Sequence, residues 1–342
     1  MITPVKFAVV GCGNIGSRHI AVVDSQENAV LNALCDIDPE KLTRYSSLYG
    51  DIPTYTSFDE MLEKSDVDVV NICTPHGLHA PMTIAAANHG KHVLVEKPMA
   101  LTTREADEMI AAGERNNVRI MVVKQNRYNV PIALTKQALD SGKLGKIYMV
   151  LCNVLWNRHE GYYRDSSWRG SKELEGGALY TQVSHFIDLM IWWFGDVIQA
   201  SSQIATLSHN IEIEDNGSAR LVFESGVMGS LTWSTSVYNK NYEGSFTIIG
   251  ENGTIKIGGQ YLNKIDFWDV QSMPLPEDIA FVDKPNAYGG KYQGTSSNHD
   301  KVINEVVADL LNERHNTVEG NEGIKTIRAI EMIYGTQEGY PK

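Results

Sequence analysis

A carboxylate, an amine and a proline stand in a row where an apolar run ends. The stretch is "HVLVEKPMA", and the three residues are Glu96, Lys97 and Pro98. A charged pair there costs desolvation unless the site uses it. An amine at a strand end can donate to a bound alcohol oxygen and stabilise its alkoxide character. Glu96 would orient that amine, and Pro98 would fix the turn, through a bond that is more often cis before proline than elsewhere. Taken alone, Lys97 reads as a surface lysine. A second set lies in "VVGCGNIGSRH", where Gly11, Gly13 and Gly16 have GxGxxG spacing. The first glycine permits a tight turn, the second lets backbone approach a pyrophosphate, and the third lets helix pack on strand. Asn14 and Ile15 then open a helix whose free N–H groups suit phosphate. Asp36, in "ALCDID", follows the last glycine by about 20 residues, the distance of a ribose-binding carboxylate. Its charge would repel a 2′-phosphate, so the cofactor expected is NAD rather than NADP. A third set lies in "GGALYTQVSHFID", where His185 and Asp188 share a helix face. The ordinary pKa of histidine suits a general base, although His185 alone reads as a core histidine.

These groups need elements to position them. From the start to about residue 125, short apolar strands alternate with amphipathic helices, which is the pattern of a doubly wound parallel sheet. Asp38 before Pro39, Ser57 with Glu60, and Thr102 with Glu105 are helix-start signals. "VDVVNICTP" and "HVLVEKP" read as buried strands. Ligands of such sheets lie beyond the carboxyl ends of the strands. Thr74, Pro75, His79, Glu96 and Lys97 should therefore converge on the nicotinamide end. After Asn126 the pattern changes. A helix is expected near 131–141, a long strand in "KIYMVLCNVLW", a helix in "GGALYTQVSHFIDLMIWWFG" and a hairpin around Glu251–Gly253. Two helices follow, near 297–313 and 322–337. The fold expected is α/β: a Rossmann domain over 1–125, then a substrate-binding and oligomerisation domain over 126–342. The second is α+β, with an open, largely antiparallel sheet.

The chain has 342 residues and a net charge of −12, which argues against nucleic acid as a general partner. Charge is unevenly spread, however. Lys124 to Lys172 holds nine Lys/Arg against three Asp/Glu, together with Tyr128, Tyr148, Trp156, Tyr162, Tyr163 and Trp168. That island suits an anionic ligand, and suits equally a solvated strand face over core aromatics. The four cysteines have no metal-binding spacing and read as buried apolar residues in a reducing compartment. His76, His79, His89 and His92 do not make a metal set, and no metal is expected. The first residues lack the apolar run of a signal peptide, and no run approaches the about 20 residues that span a bilayer. A cytoplasmic protein is expected.

"GCGNIG", "TPHGLHAPMTIAAANHGKHVLVEKPMA" and "QNRYN" together resemble the Gfo/Idh/MocA oxidoreductases over essentially the full length. The resemblance implies an enzyme that oxidises or reduces sugar or cyclitol carbons with NAD(P). It makes Lys97 part of the catalytic site, with His185 as base. Many members carry an aspartate four residues before this histidine; here Thr181 stands there and Gln182 follows it, a neutral group to orient the substrate hydroxyl. "LWNRHEGYYRDSSWRGSKELEGGALYTQVSHFIDLM" and "YGGKYQGTSSNHDKVI" resemble, within the family, the UDP-N-acetylglucosaminuronate 3-dehydrogenases. That subgroup implies oxidation of a UDP-linked N-acetylated uronic acid at its 3-hydroxyl, for surface-polysaccharide sugars. It implies NADH recycling by a 2-oxoacid such as 2-oxoglutarate, and a homo-oligomer, dimer or tetramer. On this resemblance Asn126, Trp168 and Arg169 go to the cofactor. Arg127, Tyr128, Arg158, Tyr162, Tyr163, Arg164, Ser297, Asn298 and His299 go to the substrate, with Lys97, Gln182 and His185. Left open are an inositol or aldose dehydrogenase of the same fold, an NAD-dependent glycoside hydrolase and a non-catalytic NAD sensor.

Overall fold

The structure is a computed structural model that describes residues 3–279, 281, 298–312 and 314–338. The chain divides into two units, Met1–Lys124 with His299–Ile327, and Gln125–Asn298 with Arg328–Lys342.

The first unit holds six strands: β1 (Val5–Val10), β2 (Ala29–Cys35), β3 (Thr54–Tyr55), β4 (Val69–Ile72), β5 (His92–Val95) and β6 (Ile120–Val122). They lie in the order β3-β2-β1-β4-β5-β6, and every pairing is parallel. The order reverses between β1 and β4, the switch point at which such sheets open a ligand crevice. Helices α1 (Asn14–Ser25), α2 (Pro39–Leu48), α3 (Phe58–Lys64), α4 (His79–Asn88) and α5 (Thr103–Asn116) connect the strands. Their starts are chemically specified. Asp38 accepts the Glu40 N–H at 3.0 Å, Ser57 accepts that of Glu60 at 3.3 Å, and Thr102 and Glu105 form a reciprocal capping box. All four cysteines are free and buried. Burial pushes the Cys12 and Cys35 thiols up to about 12, so these sulfurs act as small apolar groups.

The second unit is built on one eight-stranded sheet, in the order β13-β12-β11-β7-β10-β9-β8-β14. Its strands are β7 (Ile147–Leu155), β8 (Val197–Ala205), β9 (Asn216–Phe223), β10 (Met228–Ser234), β11 (Glu243–Gly250), β12 (Gly253–Gly258), β13 (Lys264–Val270) and the short β14 (Gln337–Glu338). The β7–β10 and β8–β14 pairs are parallel and the other pairs antiparallel. The expected hairpin is β11–β12, closed where Gly250 pairs with Gly253. Helices α6 (Val130–Asp140), α7 (Glu160–Arg164) and α8 (Ser184–Phe194) belong here. The apolar α8 packs by its aromatic side: Phe186 lies 5.5 Å from Phe246 and 5.7 Å from Trp156, and Trp193 lies 4.9 Å from Phe246, ring to ring.

The sequence reading placed everything after residue 125 in one domain; the structure returns His299–Ile327 to the first unit. Helix α9 (His299–Asn312) packs on α1 and β1, and α10 (Gly320–Gly335) begins in the same unit. Arg119 fastens this segment. Its guanidinium donates to Glu319 at 2.8 Å, the Arg314 carbonyl at 2.9 Å, Thr317 at 3.0 Å and Asp309 at 3.4 Å. Asp309 is fully buried and also accepts the Asn316 N–H at 2.9 Å, the Thr317 N–H at 2.8 Å and the Thr317 hydroxyl at 2.8 Å, so the cation is one of several partners. Arg119→Met removes the hydrogen bonds to Glu319, the Arg314 carbonyl and Thr317 and should lower stability by about 2 kcal/mol, read from urea denaturation.

Candidate active site

The turn between β1 and α1 is shaped by its three glycines in different ways. Gly11 has φ +86°, and a Cβ on it would stand 2.8 Å from the Cys73 carbonyl oxygen. A Cβ on Gly16 would run into the Gly11 carbonyl. A Cβ on Gly13 would meet nothing within 4 Å. Gly13 is the N-cap of α1, has no side chain to cap with, and no acid follows in the first turn. The result is an open, anion-accepting helix N-terminus at the sheet's switch point. Asn14 and Ile15 form its first turn. Asp36, at the end of β2, accepts the Cys12 N–H at 2.7 Å and the Asp38 N–H at 2.9 Å, with Lys41 3.5 Å away. A carboxylate has about four lone-pair sites. Asp36 can therefore pin the glycine turn and still accept from a ribose hydroxyl. These residues fit a dinucleotide.

Thr74 and Pro75 follow β4, and Glu96 and Lys97 follow β5. The Lys97–Pro98 bond is cis. His79 is fully buried; its Nδ1 lies 2.7 Å from the Pro98 carbonyl oxygen and its Nε2 2.9 Å from that of Thr74. Burial holds this imidazole below its ordinary pKa, and as a neutral ring it carries one N–H and donates to one of these two carbonyls. Lys97 is half-buried, and its backbone N–H donates to Glu96 Oε2 at 3.2 Å. The other Glu96 oxygen lies 3.0 Å from His19 Nε2 and 3.3 Å from His299 Nε2. Glu96 and His299, expected at the cofactor and at the substrate, are thus brought against each other in the first unit. Sequence reasoning passed over His19, although a histidine one turn after the last glycine, and Asn71 within an apolar strand, were its signals.

In the second unit Gln182 belongs to a π-helical turn, Leu179–Val183, that runs directly into α8 with His185. A plain helix was expected there; such turns recur at functional sites. Gln182 is 3 % exposed and donates from Nε2 to Tyr162 Oη at 3.1 Å, while its Oε1 has no partner among the described residues. Both amide atoms of buried Asn126 also lack one. A buried amide in that state needs a ligand or a water. Asp188 has a partner in Arg127. It takes a two-pronged pair from Arg127, 2.9 Å from Nε and 2.8 Å from Nη2. Arg158 is buried, donates to the Asn157 carbonyl at 2.7 Å and to Asn241 at 3.3 Å, and lies over Trp156 and Tyr162. Arg169 stacks on Tyr162, 4.0 Å from the ring centre, and on Trp168 at 4.6 Å. Tyr163 and Thr235 join hydroxyls at 3.1 Å. Tyr163, Arg164, Arg169 and His209 help line a cavity of about 530 Å³. Arg164 is exposed and pairs with Asp165. Tyr128 ends the short 3-10 turn that begins at Gln125. Asn298 bonds Asn129 at 2.7 Å. Ser297 lies outside the described residues.

Residues 5–124 match the family described as "Oxidoreductase family, NAD-binding Rossmann fold", and residues 132–256 match the "GFO/IDH/MocA C-terminal domain". The chain is similar to the WlbA dehydrogenase of Bordetella pertussis in complex with NADH and UDP-GlcNAcA. The identity is 35%, 97% of this chain and 96% of that one are covered, and the TM-score is 0.87. It is similar to the WlbA dehydrogenase of Chromobacterium violaceum with the same two ligands, at 33% identity, 98% and 94% coverage and a TM-score of 0.87. D-apiose dehydrogenase of Paraburkholderia graminis is 25% identical over 96% of this chain and 86% of its own length. No helix among the described residues is long and apolar enough to cross a membrane.

One buried carboxyl beside the π-helical turn has a titration that can be measured. Glu214 accepts the Leu179 N–H at 3.0 Å and the Tyr334 hydroxyl at 2.8 Å. Burial outweighs these bonds and pushes it up to about 7. Its folded pKa exceeds the unfolded one, so its contribution to stability is full below the ordinary carboxylate range and is lost as pH rises to 7. Glu214→Gln keeps an acceptor oxygen. Between pH 4.5 and 8 the wild type should lose about 3 kcal/mol that this variant retains, read from paired urea titrations.

Proposed function

Because the chain belongs to the GFO/IDH/MocA family of NAD-dependent oxidoreductases, we propose that it oxidises the 3-hydroxyl of a UDP-linked N-acetylated uronic acid to the 3-keto sugar. The observation that carries this reading is the likeness, over 97% of the chain, to a dehydrogenase seen with NADH and UDP-GlcNAcA. NAD, when bound, accepts the hydride from the carbinol carbon. Gly13 and the first turn of α1 receive its pyrophosphate, and Asp36 its adenosine ribose. Thr74, Pro75 and Asn126 are assigned to its nicotinamide half. His185 takes the hydroxyl proton as the C–H bond breaks, and Lys97 stabilises the negative charge on that oxygen, so that the carbon is left as a ketone. Gln182, with an unpartnered acceptor, fixes the orientation of a sugar hydroxyl. Arginines of the cationic segment, Arg164 foremost, bind uronate or diphosphate. A homo-oligomer, dimer or tetramer, with NADH recycled by 2-oxoglutarate and the product used for surface polysaccharide, completes the proposal.

The test follows the NADH absorbance band with UDP-N-acetylglucosaminuronate, UDP-N-acetylglucosamine, myo-inositol and glucose, each with and without 2-oxoglutarate. The first sugar alone should give turnover; preference for myo-inositol or glucose overturns the reading. Lys97→Met and His185→Ala should each lower kcat by about 10²–10⁴-fold while NAD still binds by calorimetry. Asp36→Ala should weaken NAD far more than NADP.

A further inference from the structure

No step above uses the polar cluster buried at the carboxyl edge of the first unit's sheet. His19 comes from α1, Asn71 from β4, Glu96 from the end of β5 and His299 from the start of α9; they are 0 %, 0 %, 4 % and 1 % exposed. His19 Nε2 faces a carboxylate oxygen at 3.0 Å and must carry a proton to make a bond there. Its Nδ1 is then the acceptor, and the Asn71 amide donates to it at 3.1 Å. His299 Nε2 stands 3.3 Å from the same oxygen, its ring edge-on to that of His19. Burial alone would push the Glu96 carboxyl up, but the two imidazoles outweigh it and hold it well below the usual carboxylate range. Glu96 is therefore an anion, hydrogen-bonded at Oε1 by His19 with the His299 ring 3.3 Å from the same oxygen, and with Oε2 left for the Lys97 backbone N–H.

We propose that His19 and His299 are positioning residues for Lys97: they clamp Glu96 at one oxygen, and its other oxygen fixes the backbone from which the amine extends. The inference rests on the role given to Lys97 in the proposed reaction. Because His19 rides on α1, the helix that opens at Gly13, the same carboxylate ties the dinucleotide turn to the lysine. The three side chains also have the ligand types of a zinc site, their donor atoms all within 4.8 Å of one another. The hydrogen bond from His19 and the use of Oε2 by Lys97 satisfy Glu96 without an ion, whereas neither ring nitrogen of His299 has a hydrogen-bond partner among the described residues.

The test compares His19→Leu and His299→Leu, which delete the donors, with His19→Gln and His299→Gln, which return an N–H near the same place. The Leu variants should lose kcat by about 10²-fold, the scale of a misplacement of about 1 Å, with substrate KM and NAD affinity nearly unchanged. The Gln variants should recover most of it. If the wild type turns over no sugar in the panel, the reaction assignment fails, and acylation of Lys97 followed by mass spectrometry still tests the positioning. Its rate should differ about tenfold from wild type in the Leu variants, because the amine is no longer held in one place, and return in the Gln variants. Three results overturn the proposal: Leu variants with wild-type kcat and Lys97 reactivity; losses of kcat, NAD affinity and melting temperature together with no recovery by Gln; or stoichiometric zinc in the purified protein that His19→Leu abolishes.

Discussion

A single desolvated carboxylate organises the carboxyl edge of the six-stranded sheet. Taking a charge of that size out of water costs several kcal/mol after relaxation, and only close, well-directed partners offset it. Glu96 finds them in the His19 and His299 rings and in the Lys97 backbone. The partners lie on α1, on α9 and in the chain after β5, so the anion is comfortable only when all three are in place. This is why an apolar strand ends on charge. The glutamate is paired inside, and the lysine beside it is half-buried rather than surface decoration.

The cationic segment of the second unit is less available than its net charge suggests. Arg127 is matched by Asp188, and Arg158 is wrapped by Asn157, Asn241 and two aromatic rings. Arg169 lies on Tyr162 and Trp168 with Glu175 3.8 Å away. Aromatic stacking leaves a guanidinium its full charge while restricting where it can go. The arrangement suits recognition of an anionic group at a defined place more than general attraction of anions, which an acidic protein of net charge −12 would oppose.

What the sequence disclosed was local, and what it concealed was long-range. The GxGxxG turn, Asp36, the capping box of Thr102 and Glu105, and the β11–β12 hairpin are each set by residues close in the chain, and each is found in place. The partner of Asp188 lies 61 positions away and Arg119 reaches 200 positions to Glu319, distances over which spacing carries no signal. The resemblance made Arg127 a substrate candidate, and nothing local distinguishes a cation awaiting an anion from one already paired. The π-helical turn escaped notice for a related reason. An extra residue in one helical turn barely disturbs apolar periodicity, and the group that holds the Leu179 N–H, Glu214, lies 35 positions on.

The return of His299–Ile327 to the first unit has a consequence for biogenesis. A ribosome delivers β1 to β6 early, and domains tend to fold as they emerge. This one must wait. Until residues 125–298 have been translated, Arg119 has no Asp309 to meet and Glu96 has one imidazole instead of two. The nascent sheet therefore lacks the partners that cover Arg119 and the second imidazole beside Glu96 through much of its synthesis. A gene cut ahead of α9 yields an unfinished protein rather than a smaller nucleotide-binding one.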